Sequence, residues 1–534
     1  MASPSDNPRQ RSAGVDPDES AAVAGAGPGV EPEALPAAGG RRRTRGERPR
    51  IKAGRLAGLS LGASIWVISW PILTESFLNW AVGAVDTIVA ARLSEAAADA
   101  VGGAAYVTWF LAIIGMALGV GSTAVVSRSI GKGRIAVANA AVGQSLLLAS
   151  VCGASLGLLV AALSPFLATL IGLPAHARDE FVVYMRIIAL AAPAIAVLEA
   201  CVASCRGAGD SFRPLRIMAL INLINIGFTW ALSGVDINRA AVNAAGETVS
   251  ETILRNPFPF RMGVAGIAWG TAIAWYVGAG LVVLLLLSGK SGVTLLRRRL
   301  RPHWHTMRRV VRIGLPNFFE TVGMWAGNFL VIMMVGGLAH PGYLGAHIVA
   351  IRIEALSFLP GFAMSLAAAT LMGQWLGAGD SRTAGRATLL CSGIASAFMG
   401  AMGLVFMLRP APVVALFTSQ QAHLEMTPRL IQIAGAVQIP FAVGMVMRSA
   451  LRAAGDAKVV MWITWITTWA VRLPLAFLLT GQDMTLFGAH IRNPAPLGHL
   501  GLIGMWYGLC GEIIIRGLAF GARYLQGSWR AMKV

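Results

Sequence analysis

Apolar runs of helix length recur about a dozen times between residue 58 and residue 525, and no other feature limits the fold so strongly. A run of roughly 20 such residues crosses a hydrocarbon core of about 30 Å. Inside that core each backbone polar group must bond within its own segment, so the runs are read as helices. They fall near 60–88, 101–127, 137–163, 181–204, 214–233, 262–288, 311–337, 345–372, 386–408, 427–450, 458–480 and 500–524. Only 13% of residues are charged and mean hydropathy is +0.65, where a soluble domain carries about a quarter charged residues. One soluble core of this size would lack the polar surface to cover it. The expected fold is an all-α polytopic membrane protein of about twelve transmembrane helices in two six-helix repeats.

The charges between the runs test that count. One set of loops carries Arg128, Lys132 and Arg134, then Arg206, Arg213 and Arg216, then Lys290, Arg297, Arg298, Arg299, Arg301, Arg308, Arg309 and Arg312. It continues with Arg382, Arg386, Arg452, Lys458, Arg523, Arg530 and Lys533. The alternate loops are sparser, with Arg92, Arg178, Arg239, Arg255, Arg261, Arg409 and Arg492. Basic loops mark the cytoplasmic side, so both termini are expected there, with the chain multi-pass in the cell (inner) membrane. The net charge of +19 is thereby accounted for without nucleic acid, and no zinc-finger or aromatic-basic motif accompanies it. Residues 1–57 are expected to form a disordered cytoplasmic tail, poor in large apolar side chains. It ends in the basic run Arg41, Arg42, Arg43, Arg45, Arg48, Arg50, Lys52 and Arg55, suited to anionic membrane lipid. The expected divisions are an N-terminal lobe at 58–288, a basic linker at 289–310, a C-terminal lobe at 311–525 and a tail at 526–534. Cys152, Cys201, Cys205, Cys391 and Cys510 lie in apolar runs without metal-site spacing and read as packing residues.

The second half repeats the first. Pro71-Ile72-Leu73-Thr74-Glu75, expected to open the first helix, matches Pro316-Asn317-Phe318-Phe319-Glu320 in the seventh. Gly131-Lys132-Gly133 matches Gly377-Ala378-Gly379-Asp380, and Arg206-Gly207-Ala208-Gly209-Asp210 matches Arg452-Ala453-Ala454-Gly455-Asp456. Gly266-Ile267-Ala268-Trp269-Gly270 matches Gly504-Met505-Trp506-Tyr507-Gly508. Each half has an even number of helices, so the repeats are parallel, an arrangement that handles substrate between halves. The glycine-aspartate turns read as left-handed helix ends followed by an aspartate cap.

Ionisable side chains inside the bilayer are costly and are candidate functional groups. The acids are Glu75, Asp86, Glu199, Glu320, Glu354 and Glu512, with Arg186, Arg352, Arg472 and Arg516 as candidate partners. Asp86 is the leading site residue. It lies about three turns beyond Glu75, near one helix face, so the two carboxylates can line one cavity. Burial favours the protonated carboxyl and a nearby cation the ionised one. One such site can exchange a proton, or sodium at Asp86, for a cationic substrate. The alternative for Asp86 is a helix end solvated by the outer loop. Glu320 joins the cavity set by symmetry with Glu75; helix-start capping is the alternative for both. Glu199 has no counterpart in the second half. Glu354 follows Arg352-Ile353 and reads as a structural ion pair. Asn222, Asn225, Gln374 and Gln432 can bond across helices. Pro71, Pro193, Pro316, Pro360 and Pro440 mark kinks, as hinges or as static bends.

No P-loop, HExxH or GxSxG is present, and the chain is not expected to be an enzyme. His303-Trp304-His305 reads as part of the linker loop. The run Ala346-His347-Ile348-Val349-Ala350-Ile351-Arg352-Ile353-Glu354, followed by Leu356-Ser357-Phe358-Leu359-Pro360-Gly361 and Gly373-Gln374-Trp375-Leu376-Gly377, resembles the multidrug and toxic compound extrusion (MATE) family. Pro71, Glu75 and Val85-Asp86-Thr87 resemble its first helix. The resemblance covers roughly residues 58–525. It implies a two-lobed antiporter exporting small organic cations or amphipathic drugs against proton or sodium flow by alternating access. It implies no cofactor other than the ion gradient; the chain is expected to be a monomer among membrane lipids. The resemblance carries the coupling role to Asp86 and supports Glu320. Two departures stand out: Gly227-Phe228-Thr229 follows Asn225-Ile226 where many members place an aspartate, and Phe441 stands where some carry an acid. The alternative function in the same superfamily is a flippase for a lipid-linked precursor.

Overall fold

In a computed structural model the described residues are 51, 54–242, 248–296, 300–338, 340, 342–486, 489–494 and 500–532. The amino-terminal tail with its basic run up to Lys52 lies outside them, apart from Ile51, as do Arg297, Arg298, Arg299 and Lys533. The first half comprises α1 (Leu61–Leu93), α2 (Glu95–Lys132), α3 (Ile135–Leu170), α4 (Ala175–Leu190), α5 (Ala192–Gly207), α6 (Phe212–Ser233) and α7 (Val264–Leu287). The second comprises α8 (Trp304–Gly337), α9 (Tyr343–Ala378), α10 (Ser381–Leu408), the short α11 (Pro410–Ala415), α12 (Gln421–Ala436) and α13 (Gln438–Ala454). It ends with α14 (Ala457–Trp465), a π-helical stretch Ile466–Arg472, α15 (Leu473–Thr480) and α16 (Gly501–Leu525).

Ten of the described helices are long and apolar enough to cross a membrane, counting α14 to α15 as one, and two bent pairs raise the number to twelve. The bent pairs are α4–α5, at 48°, and α12–α13, at 55°. Each break lies just before a proline, Pro193 or Pro440, whose ring removes a helical hydrogen bond and crowds the preceding turn. Pro71, Pro316 and Pro360 instead sit inside continuous helices. The segments expected to open the first and seventh helices therefore lie about three turns inside them. Ser60 caps α1 by accepting from the Ala63 amide at 3.2 Å. His303 caps α8 by accepting from the Thr306 amide at 3.4 Å, so the His303-Trp304-His305 segment starts a helix rather than forming a loop.

The helix ends at Lys132, Gly207, Ala378, Ala454 and Leu525 gather on one face, here the basic face. Gly133 and Gly379 end α2 and α9 in equivalent left-handed conformations, and Asp380 then caps α10 by accepting from the Thr383 amide at 2.9 Å. The opposite face carries a feature absent from the all-helical expectation. Two antiparallel hairpins, β1 (Ile237–Val242) with β2 (Thr248–Leu254) and β3 (Met484–Leu486) with β4 (Ala489–Ile491), follow equivalent helices. Each is clasped alike. The Asn256 amide donates to Asp236 and its side chain to the Trp230 carbonyl; the Asn493 amide donates to Asp483 and its side chain to the Phe477 carbonyl.

The core divides between the halves, with α1 shared. Ile65, Ile68 and Ile72 on the basic-face half of α1 pack with Ala363, Ala367 and Leu371 of α9. Beyond Glu75 the same helix runs along α6. The five cysteines are all unbonded, and four of them are buried.

Candidate functional site

Polar side chains inside the bundle gather around Asp86 and, separately, around Glu75 in the first half, and around Glu320 and Glu512 in the second. In the first half Asp86 stands seven residues before the end of α1, about 10 Å in from the hairpin face. Its carboxylate accepts from the Thr229 hydroxyl of α6 at 3.4 Å, with Thr271 of α7 beside it. Thr271 in turn accepts from the Asn225 side-chain amide at 2.9 Å. Asn225 is buried, and its Oδ1 has no hydrogen-bond partner among the described residues. One turn earlier, Asn222 donates to Asn79 of α1 at 3.1 Å. The cluster is thus one carboxylate, two hydroxyls and a free amide oxygen converging from three helices. Thr229 ends the Gly227-Phe228-Thr229 stretch in which the resemblance implied an aspartate. The sequence signal for it is its spacing, four residues after Asn225 on one helix face.

Glu75 does not join Asp86. It is buried and accepts both contacts of Arg206 Nη2, each at 2.6 Å. Glu199 lies on α5 two turns before Arg206 and adds a second carboxylate beside that pair. The second half repeats the arrangement. Arg452 donates to Glu320 through Nε at 3.0 Å and Nη2 at 2.6 Å, and the Thr464 hydroxyl donates at 2.8 Å. In both halves the arginine of the glycine-aspartate turn reaches back to the glutamate that follows the buried proline. Neither glutamate caps a helix start, because both helices begin about four turns earlier.

The second polar collection extends from Glu320 towards the middle of the lobe. Glu512 of α16 accepts from Arg516 Nε at 2.6 Å and from Arg472 Nε at 3.1 Å. Arg472 Nη1 also donates to Asn328 of α8 at 2.5 Å. Arg472 closes the π-helical stretch, whose Thr467 and Thr468 accept from Arg516 at 3.1 and 3.0 Å. The wider turn lets two adjacent threonines serve one guanidinium. Arg448 of α13 comes within 3.7 Å of Glu320. Glu354 of α9 faces Arg472 rather than Arg352, which is exposed. The expected Arg352–Glu354 pair fails because residues two apart on a helix do not face each other. Arg448 escaped the sequence reading, though its place one turn before Arg452 in an apolar run is the signal.

At the basic face the halves meet. Gln374 of α9 donates to the Gly207 carbonyl at 3.0 Å, and Thr370 to the Arg206 carbonyl at 3.3 Å. Arg128 of α2 donates to the Ala454 carbonyl at 3.2 Å and to the Met532 carbonyl at 2.5 Å. Arg128 and Gln374 occupy equivalent positions in the repeats, so each half closes on the last turn of the other. The helices carrying them cross where a side chain at Gly131 or Gly377 would run into the opposing backbone. Higher up, Trp109 and Phe110 of α2 pack on Trp325 of α8, at 5.2 and 6.5 Å between ring centres. Among the described residues no three His, Cys, Asp or Glu side chains form a metal-binding group.

Known proteins share both the sequence pattern and this fold. The family model MatE matches residues 71–231 and again residues 316–478, one match per repeat. A probable multidrug resistance protein NorM of Thermotoga maritima is 26% identical over 475 residues, covering 88% of this chain and 93% of that protein. A crystal structure of MATE in complex with MaL6 has a TM-score of 0.76 at 18% identity, covering 89% of this chain and 98% of that one. An outward-facing conformation of a multidrug resistance MATE family transporter has a TM-score of 0.74 at 20% identity, with the same coverage. With its two matched repeats and twelve-span, two-lobed bundle, the chain belongs to the MatE family of membrane transporters, which are not enzymes.

Proposed function

We propose that the chain is a secondary active antiporter that exports cationic or amphipathic organic compounds in exchange for protons or sodium ions. The observation that carries this reading is the Asp86 cluster, where a carboxylate, the Thr229 and Thr271 hydroxyls and the unpartnered Asn225 Oδ1 converge. Such a set suits a proton or a small cation, because every group in it can accept. A cationic substrate competing for the carboxylate couples cargo to ion. The multidrug resistance relatives support the choice of cargo. Glu75 and Glu320 then act as anchors that tie the first helix of each lobe to the end of its fourth, and Glu199 tunes the first anchor.

Transport by alternating access follows from the seal. The basic face is read as cytoplasmic, and Arg128, Gln374 and the α2–α9 crossing close it in this state. Opening requires the lobes, 58–288 and 311–525, to part there while closing at the hairpin face, with 289–310 as the tether. Pro71 and Pro360 sit where the shared α1 and the sealing α9 would flex. No cofactor beyond the gradient enters, and a monomer suffices. One observation favours the alternative, a flippase for a lipid-linked precursor: the intramembrane arginines of the second lobe exceed its acids. The test is ethidium accumulation in an efflux-deficient bacterial host. Wild-type protein should lower it, and Asp86→Asn at equal membrane level should not; full export by Asp86→Asn would remove Asp86 from the coupling site.

A further inference from the structure

We propose that the second lobe holds an oxyanion site, with Arg448 and Arg516 as its donors, which binds a carboxylate or phosphate where the cargo carries one. The proposal rests on the transporter reading and deepens it, adding amphipathic zwitterions to the cations as cargo.

The charges of the lobe do not balance. Four arginines, Arg448, Arg452, Arg472 and Arg516, stand against Glu320, Glu512 and the more distant Glu354. Both oxygens of Glu320 are taken by Arg452, one of them also by Thr464. Both oxygens of Glu512 are taken, one by Arg472 and one by Arg516. Arg448 is left over. Its Nη1 comes only to 3.7 Å of a Glu320 oxygen that Arg452 and Thr464 already hold, and its buried Nε has no hydrogen-bond partner among the described residues. A guanidinium that shares its carboxylate with a closer arginine inside a membrane protein is expensive and marks a candidate site.

What Arg448 does touch is informative. Its Nη1 lies 3.9 Å from the sulfur of Met324, and Arg516 Nη1 lies 3.8 Å from the same atom. A thioether is a weak acceptor, so neither Nη1 is satisfied there. The remaining nitrogens of Arg516 are fixed on Glu512, Thr467 and Thr468, which aims Nη1 at the gap. The two guanidinium groups are no further apart than the sum of those sulfur distances. An oxyanion accepting from both at about 2.8 Å spans such a gap. Met324 is the flexible side chain that must move aside. Trp325, the next residue, packs on Trp109 of the other half, so this turn of α8 lies at the seam between the lobes. Asp86 in one lobe and this arginine pair in the other would give a zwitterionic cargo a partner for each of its charges.

The test compares rhodamine B, which carries a free carboxylate, with its ethyl ester, which differs in losing that charge. Fluorescence anisotropy on the full chain in phosphatidylcholine nanodiscs gives a Kd for each. The wild type should bind the acid about tenfold more tightly, a difference of about 1.4 kcal/mol. Arg448→Gln and Arg516→Gln should each abolish the preference, and Arg448→Lys should keep part of it. Size-exclusion profiles matching wild type confirm folded variants. Equal binding of acid and ester by the wild type, or a preference that survives Arg448→Gln, overturns the site. So does failure of the folded wild type to bind either dye. Ethidium export dependent on Asp86 would leave the antiporter reading standing in those cases. A preference that disappears when phosphatidylglycerol is added supports the oxyanion site and assigns it to a lipid headgroup as well.

Discussion

Asp86, Glu75 and Glu320 look alike in the sequence, three acids in apolar helices, yet their surroundings differ in kind. Glu75 and Glu320 each face a guanidinium at 2.6 Å, while Asp86 faces hydroxyls. A carboxylate locked to arginine has little freedom to trade ions; one held by hydroxyls does. Removing one partner of a buried ion pair typically costs about 3–5 kcal/mol, because the other charge stays buried. Glu75→Ala should therefore lower thermal stability in detergent sharply, and adding Arg206→Met should recover most of the loss. Additive losses in the double variant would show that each residue has some other structural duty. The pairs were half legible. The glutamates and the arginines were visible as repeated motifs, but in separate ones some 130 residues apart, and they meet only in the folded bundle.

At the scale of elements, the spans were readable from hydropathy, but five prolines read alike as kinks and only Pro193 and Pro440 follow a break, so the sequence did not single out the two bent pairs. The hairpins were not readable either, because Ile237–Val242 is short and shows no apolar–polar alternation that would mark a strand. The crossing of α2 and α9 is equally hidden: Gly131 and Gly377 were noted as turn residues, whereas each also removes a side chain from a backbone contact. Gly377→Val should prevent that contact and hold the basic face open. The check is maleimide labelling from the basic side of Ser127→Cys, with the five native cysteines replaced by serine. Ser127 is fully buried in the sealed state, so labelling should rise severalfold in the Gly377→Val background. Unchanged labelling would mean that the seal does not depend on the crossing.

For the whole molecule, the repeat is the organising fact. Glu75–Arg206 and Glu320–Arg452, Gln374 and Arg128, and the two clasped hairpins are each one device used twice. Function enters where the halves differ. The first lobe has Asp86 among hydroxyls; the second has an arginine-rich network closed by a π-helical turn. The duplicated motifs showed the symmetry directly, but the asymmetry depends on which helix faces which, and that comes only with the fold. The central claim is that ion movement through the Asp86 cluster drives cargo outward. Its most direct test is efflux of a fluorescent lipophilic cation from reconstituted vesicles, with proton and sodium gradients imposed separately. The account predicts gradient-driven movement under one of them that disappears in Asp86→Asn. Movement that persists undiminished in that variant, or folded protein that moves the cation under neither gradient, would contradict it.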